Sequence, residues 1–125
     1  MRAMKDGRLT FAVQPIVDAV TGETQLYECL LRMLNENCEL VPAGLFIPVV
    51  EKLGLIRRLD IFTLEMALLE MEQVADINLA VNNSGVAATD PSSLDHLLSL
   101  VHVHSGVADR LIFEITETVA VMDFE

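Results

Sequence analysis

The chain has 125 residues, with 8 Lys and Arg against 19 Asp and Glu and a formal net charge of −11 at pH 7. The length suits one domain, and 52% hydrophobic with 22% charged residues can build a packed core, which excludes disorder as the main state. The acidic balance argues against polymeric nucleic acid and anionic membranes, which need clustered Lys and Arg, and no apolar run approaches the length of a membrane span.

Leu9 to Val17 reads as a strand, with Phe11 and Val13 alternating with Ala12 and Gln14. Asp18 to Glu23 is turn chemistry, and Gly22 is free to take a positive φ. Gln25 to Met33 is a second strand with Leu26, Glu28, Leu30 and Arg32 on one face. A parallel pairing needs a crossover of roughly a dozen residues or more. The link here is shorter, so an antiparallel hairpin is expected. Asn35 to Val41 reads as a polar loop, and Pro42 to Gly54 as one or two short helical turns. Pro48 is expected in a first turn and Gly54 at a left-handed cap.

A long helix is expected from Ile56 to about Val74, with an apolar stripe of Leu55, Leu59, Phe62, Met66 and Leu69. Ile77 to Asn82 is a third strand. Thr89-Asp90-Pro91 starts a further helix, with a capping side chain followed by proline. Leu94, Leu97, Leu98 and Val101 are expected to face inward from it. Arg110 to Thr116 is a fourth strand, and Val119 to Glu125 reads as the start of another helix. After the hairpin the alternation of strands and helices calls for parallel strands with helical crossovers, an α/β fold.

Three polar residues stand where strands should be apolar: Glu28, Asn82 and Glu114. A carboxylate in a buried strand is costly unless paired or metal-bound. Ligands of parallel α/β folds gather at the carboxyl ends of the strands. Two carboxylates and an amide oxygen meeting there make a hard-oxygen set suited to Mg2+, Mn2+ or Ca2+. Each residue alone reads equally as a solvent-facing or salt-bridged strand residue. Arg32 shares a face with Glu28, where its planar fork suits a phosphate oxygen or a salt bridge to a carboxylate.

His102 and His104 lie two apart, do not share a helix face, and read as a solvated helix end. Cys29 should point away from Glu28 into helix packing as a small buried thiol, and Met66 and Met71 read as core or helix-flank packing. Two cysteines, Cys29 and Cys38, are too few for a disulfide framework and point to a reducing, cytoplasmic setting.

Gln14-Pro15-Ile16 followed by Glu28-Cys29-Leu30-Leu31-Arg32 resembles the opening of an EAL domain, the bacterial cyclic di-GMP phosphodiesterase family, with Cys29 in place of the central Ala. The similarity continues through Phe46-Ile47-Pro48, Glu51, Gly54, Val81-Asn82-Asn83-Ser84 and Glu114-Ile115-Thr116-Glu117. It implies a modified (β/α)8 TIM-like barrel whose first strand is antiparallel to its neighbour. It also implies hydrolysis of cyclic di-GMP to linear pGpG with Mg2+ or Mn2+. Carried over by position, Glu28, Asn82 and Glu114 match metal ligands, and Gln14 and Arg32 match contacts to the dinucleotide. Glu117 matches a carboxylate supporting a later loop, dimerisation and metal binding.

A full barrel takes about 250 residues, and the family's later motifs, with the main acid–base residues, have no counterpart here. The chain is therefore expected to be the N-terminal half of an EAL domain, 1–125, inactive alone and prone to homo-oligomerise through the open edge of its last strand. The high mean hydropathy of +0.44 fits an apolar surface left for a partner. Two other readings stand beside the phosphodiesterase: a degenerate module that binds cyclic di-GMP or a protein, and a glycosidase using Glu28 and Glu114 as its carboxylate pair.

Overall fold

The computed structural model describes residues 7–115. Strand β1 (Leu9–Val17) and strand β2 (Thr24–Leu34) form the expected antiparallel hairpin. Its turn is closed by the Asp18 carboxylate, which accepts from the N–H groups of Val20 and Thr21. A short β3 (Leu40–Pro42) returns antiparallel to the end of β2. Helices α1 (Ala43–Lys52) and α2 (Ile56–Gln73) lead to β4 (Leu79–Asn83). The four-residue α3 (Val86–Thr89), α4 (Pro91–Val103) and a single 3-10 turn precede β5 (Leu111–Ile115). The main path through the sheet is β1-β2-β4-β5, with β2, β4 and β5 parallel. This is the expected α/β plan with parallel strands and an antiparallel first strand.

Sequence position sorts the side chains of the sheet. Every strand residue in the two apolar clusters is odd-numbered, including Leu9, Phe11, Tyr27, Cys29, Leu79, Val81 and Phe113. The helices cover this odd face. Leu64, Ala67, Leu68 and Met71 of α2 pack on Cys29, Leu79 and Val81, joined by Ala87 and Leu97. Each large side chain so buried contributes about 1.5–3 kcal/mol. Even-numbered residues, among them Gln14, Glu28, Arg32, Asn82 and Glu114, occupy the other face, since side chains alternate along a strand.

Several expectations are corrected. The segment Asn35 to Val41 is not all loop. The Asn35 side chain accepts from the N–H groups of Asn37 and Glu39, which turns the chain tightly enough for Leu40 to pair with Leu34. Pro48 sits inside α1 rather than in a first turn. It removes one hydrogen bond to Gly44, but both residues are exposed and water can satisfy that carbonyl, while Phe46 and Val50 hold the helix down. Gly54 does close α1, with φ of 70° and a Schellman pair: Gly54 N donates to Glu51 O and Leu55 N to Val50 O.

The α2 stripe read from spacing is not the face that packs on Cys29, Leu79 and Val81. Leu55, Leu59, Phe62 and Met66 join the cluster of Phe46 and Val50 of α1 with Leu9, Leu31 and Met33 of the sheet, while Leu69 is exposed. A helix wedged between a sheet and a second helix has two apolar faces, and periodicity alone does not rank them. In α4 only Leu97 of the four expected residues is fully buried, and Leu94 and Leu98 are exposed. Its cap is as expected: the Asp90 carboxylate accepts from Ser93 N at 3.0 Å, with Pro91 at the first position. The expected terminal helix lies outside the described residues. No described helix is long and apolar enough to cross a membrane.

Candidate functional site

The ladder register brings the even-numbered polar residues together. Gln14 stands directly across from Glu28, and Asn82 directly across from Glu114. Glu28 pairs with Ala80, so Asn82 lies one step along the same face. Asn82 Nδ2 donates to Glu28 Oε1 at 2.9 Å, a bond between residues 54 apart in sequence. Glu28, Asn82 and Glu114 therefore share one face of three parallel strands, Asn82 and Glu114 near the carboxyl ends of β4 and β5 and Glu28 midway along β2. Glu117 lies outside the described residues.

This face offers hard oxygen donors: Glu28 keeps a second carboxylate oxygen, Asn82 keeps Oδ1, and Glu114 is next in register. Their chemistry fits a divalent cation, but three residues supply fewer than its usual six or more ligands. Among the described residues there is no cluster of three or more His, Cys, Asp or Glu able to hold a metal.

Arg32 shares the face but makes no ion pair among the described residues. Its guanidinium donates to Leu31 O at 2.9 Å. It lines a cavity of about 570 Å³ with Leu30, Glu51, Asp60, Asn82 and Ser84. Cys29 points to the other side and is buried. Burial, helped by the negative charges of Glu70 and Glu28, pushes its thiol up to about 11, so it is an inert packing group.

The histidines take no part in this site. His102 is exposed, but His104 is half-buried and its Nδ1 meets Glu72, tying α4 to α2 rather than ending in solvent. Sequence reasoning missed Asp60, a buried carboxylate at the cavity wall. Burial raises its pKa above the usual carboxylate value, opposed by hydrogen bonds from Ser84 and Ala87. One acidic residue in an acidic helix gives no sequence signal of that role.

The family model described as EAL domain matches residues 1–125. The chain belongs to the EAL domain family. It is 32% identical over 127 residues to the bifunctional diguanylate cyclase/cyclic di-GMP phosphodiesterase MucR of Pseudomonas aeruginosa, covering 98% of this chain and 18% of that protein. To the cyclic di-GMP phosphodiesterase PdeF of Escherichia coli it is 30% identical over 124 residues, covering 94% of this chain and 16% of the relative. Among solved structures, the MucR phosphodiesterase in complex with c-di-GMP superposes with a TM-score of 0.72 at 30% identity, over 93% of this chain and 49% of that one. The Pseudomonas aeruginosa FimX EAL domain bound to c-di-GMP gives 0.84 at 23% identity, over 97% and 50%, and supports the fold. The EAL chain described here thus spans about half of those solved chains and less than a fifth of these curated relatives.

Proposed function

We propose that this EAL segment supplies part of the site of a cyclic di-GMP phosphodiesterase that opens one phosphodiester bond to give linear pGpG with a divalent metal. The observation that carries the reading is the Asn82–Glu28 bond at 2.9 Å. It orients the amide so that Oδ1 and the second Glu28 oxygen are left for a cation, with Glu114 beside them. When bound, Mg2+ or Mn2+ would stabilise charge on the phosphoryl oxygens and supply positive field that a chain at −11 lacks. Glu28, Asn82 and Glu114 would hold that ion. Arg32, on the same face at the cavity, would orient a phosphate through its planar fork, and Gln14, opposite Glu28, would contact the dinucleotide.

The test is Mn2+ binding followed by electron paramagnetic resonance, in wild type and Glu28→Gln. Saturable binding that weakens at least about tenfold in Glu28→Gln is the expected result. Absence of saturable Mn2+ binding by wild type, or equal binding by both, would overturn the metal assignment. Hydrolysis of cyclic di-GMP by the full protein, lost in Glu28→Gln, tests the activity itself.

A further inference from the structure

We infer that Asp60 is a positioning residue for the Glu28–Asn82 pair: it pins the turn after β4 where that strand has parted from β2. The inference rests on the proposed role of that pair, but its structural content can be tested apart from it.

The need for an anchor follows from the ladder. One edge of β2 is taken by β1 along its length. The other edge pairs with β4 at Tyr27, Glu28 and Cys29, and with β3 at Arg32, Met33 and Leu34. Leu30 and Leu31 pair with neither. Strand β4 therefore loses its β2 partner after Val81, one residue before Asn82. From there it is held in the sheet only by β5, on the far side. The cavity opens at this parting, between Leu30, Leu31 and Arg32 on one wall and Asn82, Asn83 and Ser84 on the other.

Asp60, on α2, fills the place of the missing ladder. Its carbonyl accepts from Asn83 Nδ2 at 3.3 Å. Its Oδ1 accepts from Ser84 N at 3.0 Å, and its Oδ2 from the Ser84 hydroxyl and from Ala87 N at 3.4 Å. All three of its acceptor oxygens thus hold the segment that follows Asn82, at Asn83, Ser84 and Ala87. The Asn83 side chain adds a bond to Gly85 N at 3.0 Å, which fixes the left-handed turn there. Asp60 is 4% exposed, so these bonds are little contested by water. A buried acid serving only the stability of α2 would have no need to bind Asn83, Ser84 and Ala87, at the end of β4, in the turn and in α3.

The test compares Asp60→Asn with wild type by NMR of the Asn82 side-chain amide. An asparagine cannot accept at both positions, so one contact with the turn is lost. Hydrogen exchange at Asn82 Nδ2 should speed up several-fold in Asp60→Asn. The control is Arg110→Met, which loosens the opposite end of α2 and should leave that amide unchanged. Ser84→Ala removes the hydroxyl bond to Asp60 Oδ2 without touching α2 and should act like Asp60→Asn if the latter folds poorly. An Asn82 amide unchanged in both Asp60→Asn and Ser84→Ala, or equally disturbed by Arg110→Met, would overturn the inference. A second readout is Mn2+ affinity: Asp60→Asn should weaken it several-fold in the wild-type background and have no further effect in Asn82→Ala. Equal losses in both backgrounds would overturn action through Asn82. A wild-type chain that binds no Mn2+ would refute the metal reading alone, and the amide exchange would still decide Asp60.

Discussion

The two ends of the α2–β4 unit use charge in opposite ways. At the far end from the site, the Arg110 guanidinium donates to Met71 O, Val74 O and Ile77 O, at 3.0, 3.4 and 2.7 Å. It gathers carbonyls of the last turn of α2 and of the link to β4 into one closed knot. At the other end Asp60 accepts from N–H and O–H groups of the turn after β4, but the knot is left open beside it, because β4 and β2 have separated. One end closes the fold and the other holds a gap. The polar residues of the candidate site sit only at the second.

The largest effect is expected where the two ends are joined. Leu68 is fully buried in the cluster between α2 and the sheet. Leu68→Ala should cost about 2–5 kcal/mol and loosen both ends together, read as a lower urea midpoint with parallel loss of amide protection at Met71 and Asn83. Loss at one end only would show that the ends are not coupled through the core.

Arg110→Met should cost about 2 kcal/mol, the scale of hydrogen bonds from a charged donor. The stem still packs, so the loss should appear as faster amide exchange around Val74 to Ile77, with the Asn82–Glu28 bond intact. Equal disturbance at both ends would show that the two ends are not held independently.

The smallest effect is a pH slope. Burial raises the folded-state pKa of Asp60, so the fold binds that proton more tightly than the unfolded chain does. Its contribution to stability is therefore full below the unfolded value near 3.8 and is lost as pH rises through the folded value. Denaturation of wild type and Asp60→Asn across this range should give a stability difference that shifts against wild type as pH rises. The half-buried Asp90 and Asp18 run the other way, since hydrogen bonds lower both, and their stabilisation is lost as pH falls. A difference between wild type and Asp60→Asn that is constant with pH would contradict the assignment of the slope to Asp60.

Much of this was legible in the sequence because it is local. Period-two alternation put Glu28 and Arg32 on one face of β2 and Cys29 on the other, and the structure keeps both, while the hairpin register adds Gln14 opposite Glu28. The short link forced an antiparallel pair, and Asp90-Pro91 and Gly54 marked helix ends that the structure keeps. That Asn82 and Glu114 could reach the same end of the sheet as Glu28 was suggested by the strand pattern, and the ladder register places all three on one face. Their roles as ligands are a matter of chemistry that the binding experiments decide.

What only the tertiary structure decided has a common cause: each case is a choice between partners. Residues 56–71 of α2 carry two apolar faces, and only the positions of its tertiary partners assign Met66 to one and Leu68 to the other. Strand β3 exists because the Asn35 turn brings Leu40 back to an edge of β2 that β4 leaves vacant. That competition for one edge opens the cavity, and the cavity places Asp60 against Asn83 and Ser84, residues 23 and 24 positions away. Propensity and periodicity act over a few residues, whereas an edge, a gap and a buried anchor are settled by which distant segments pack together in the folded chain.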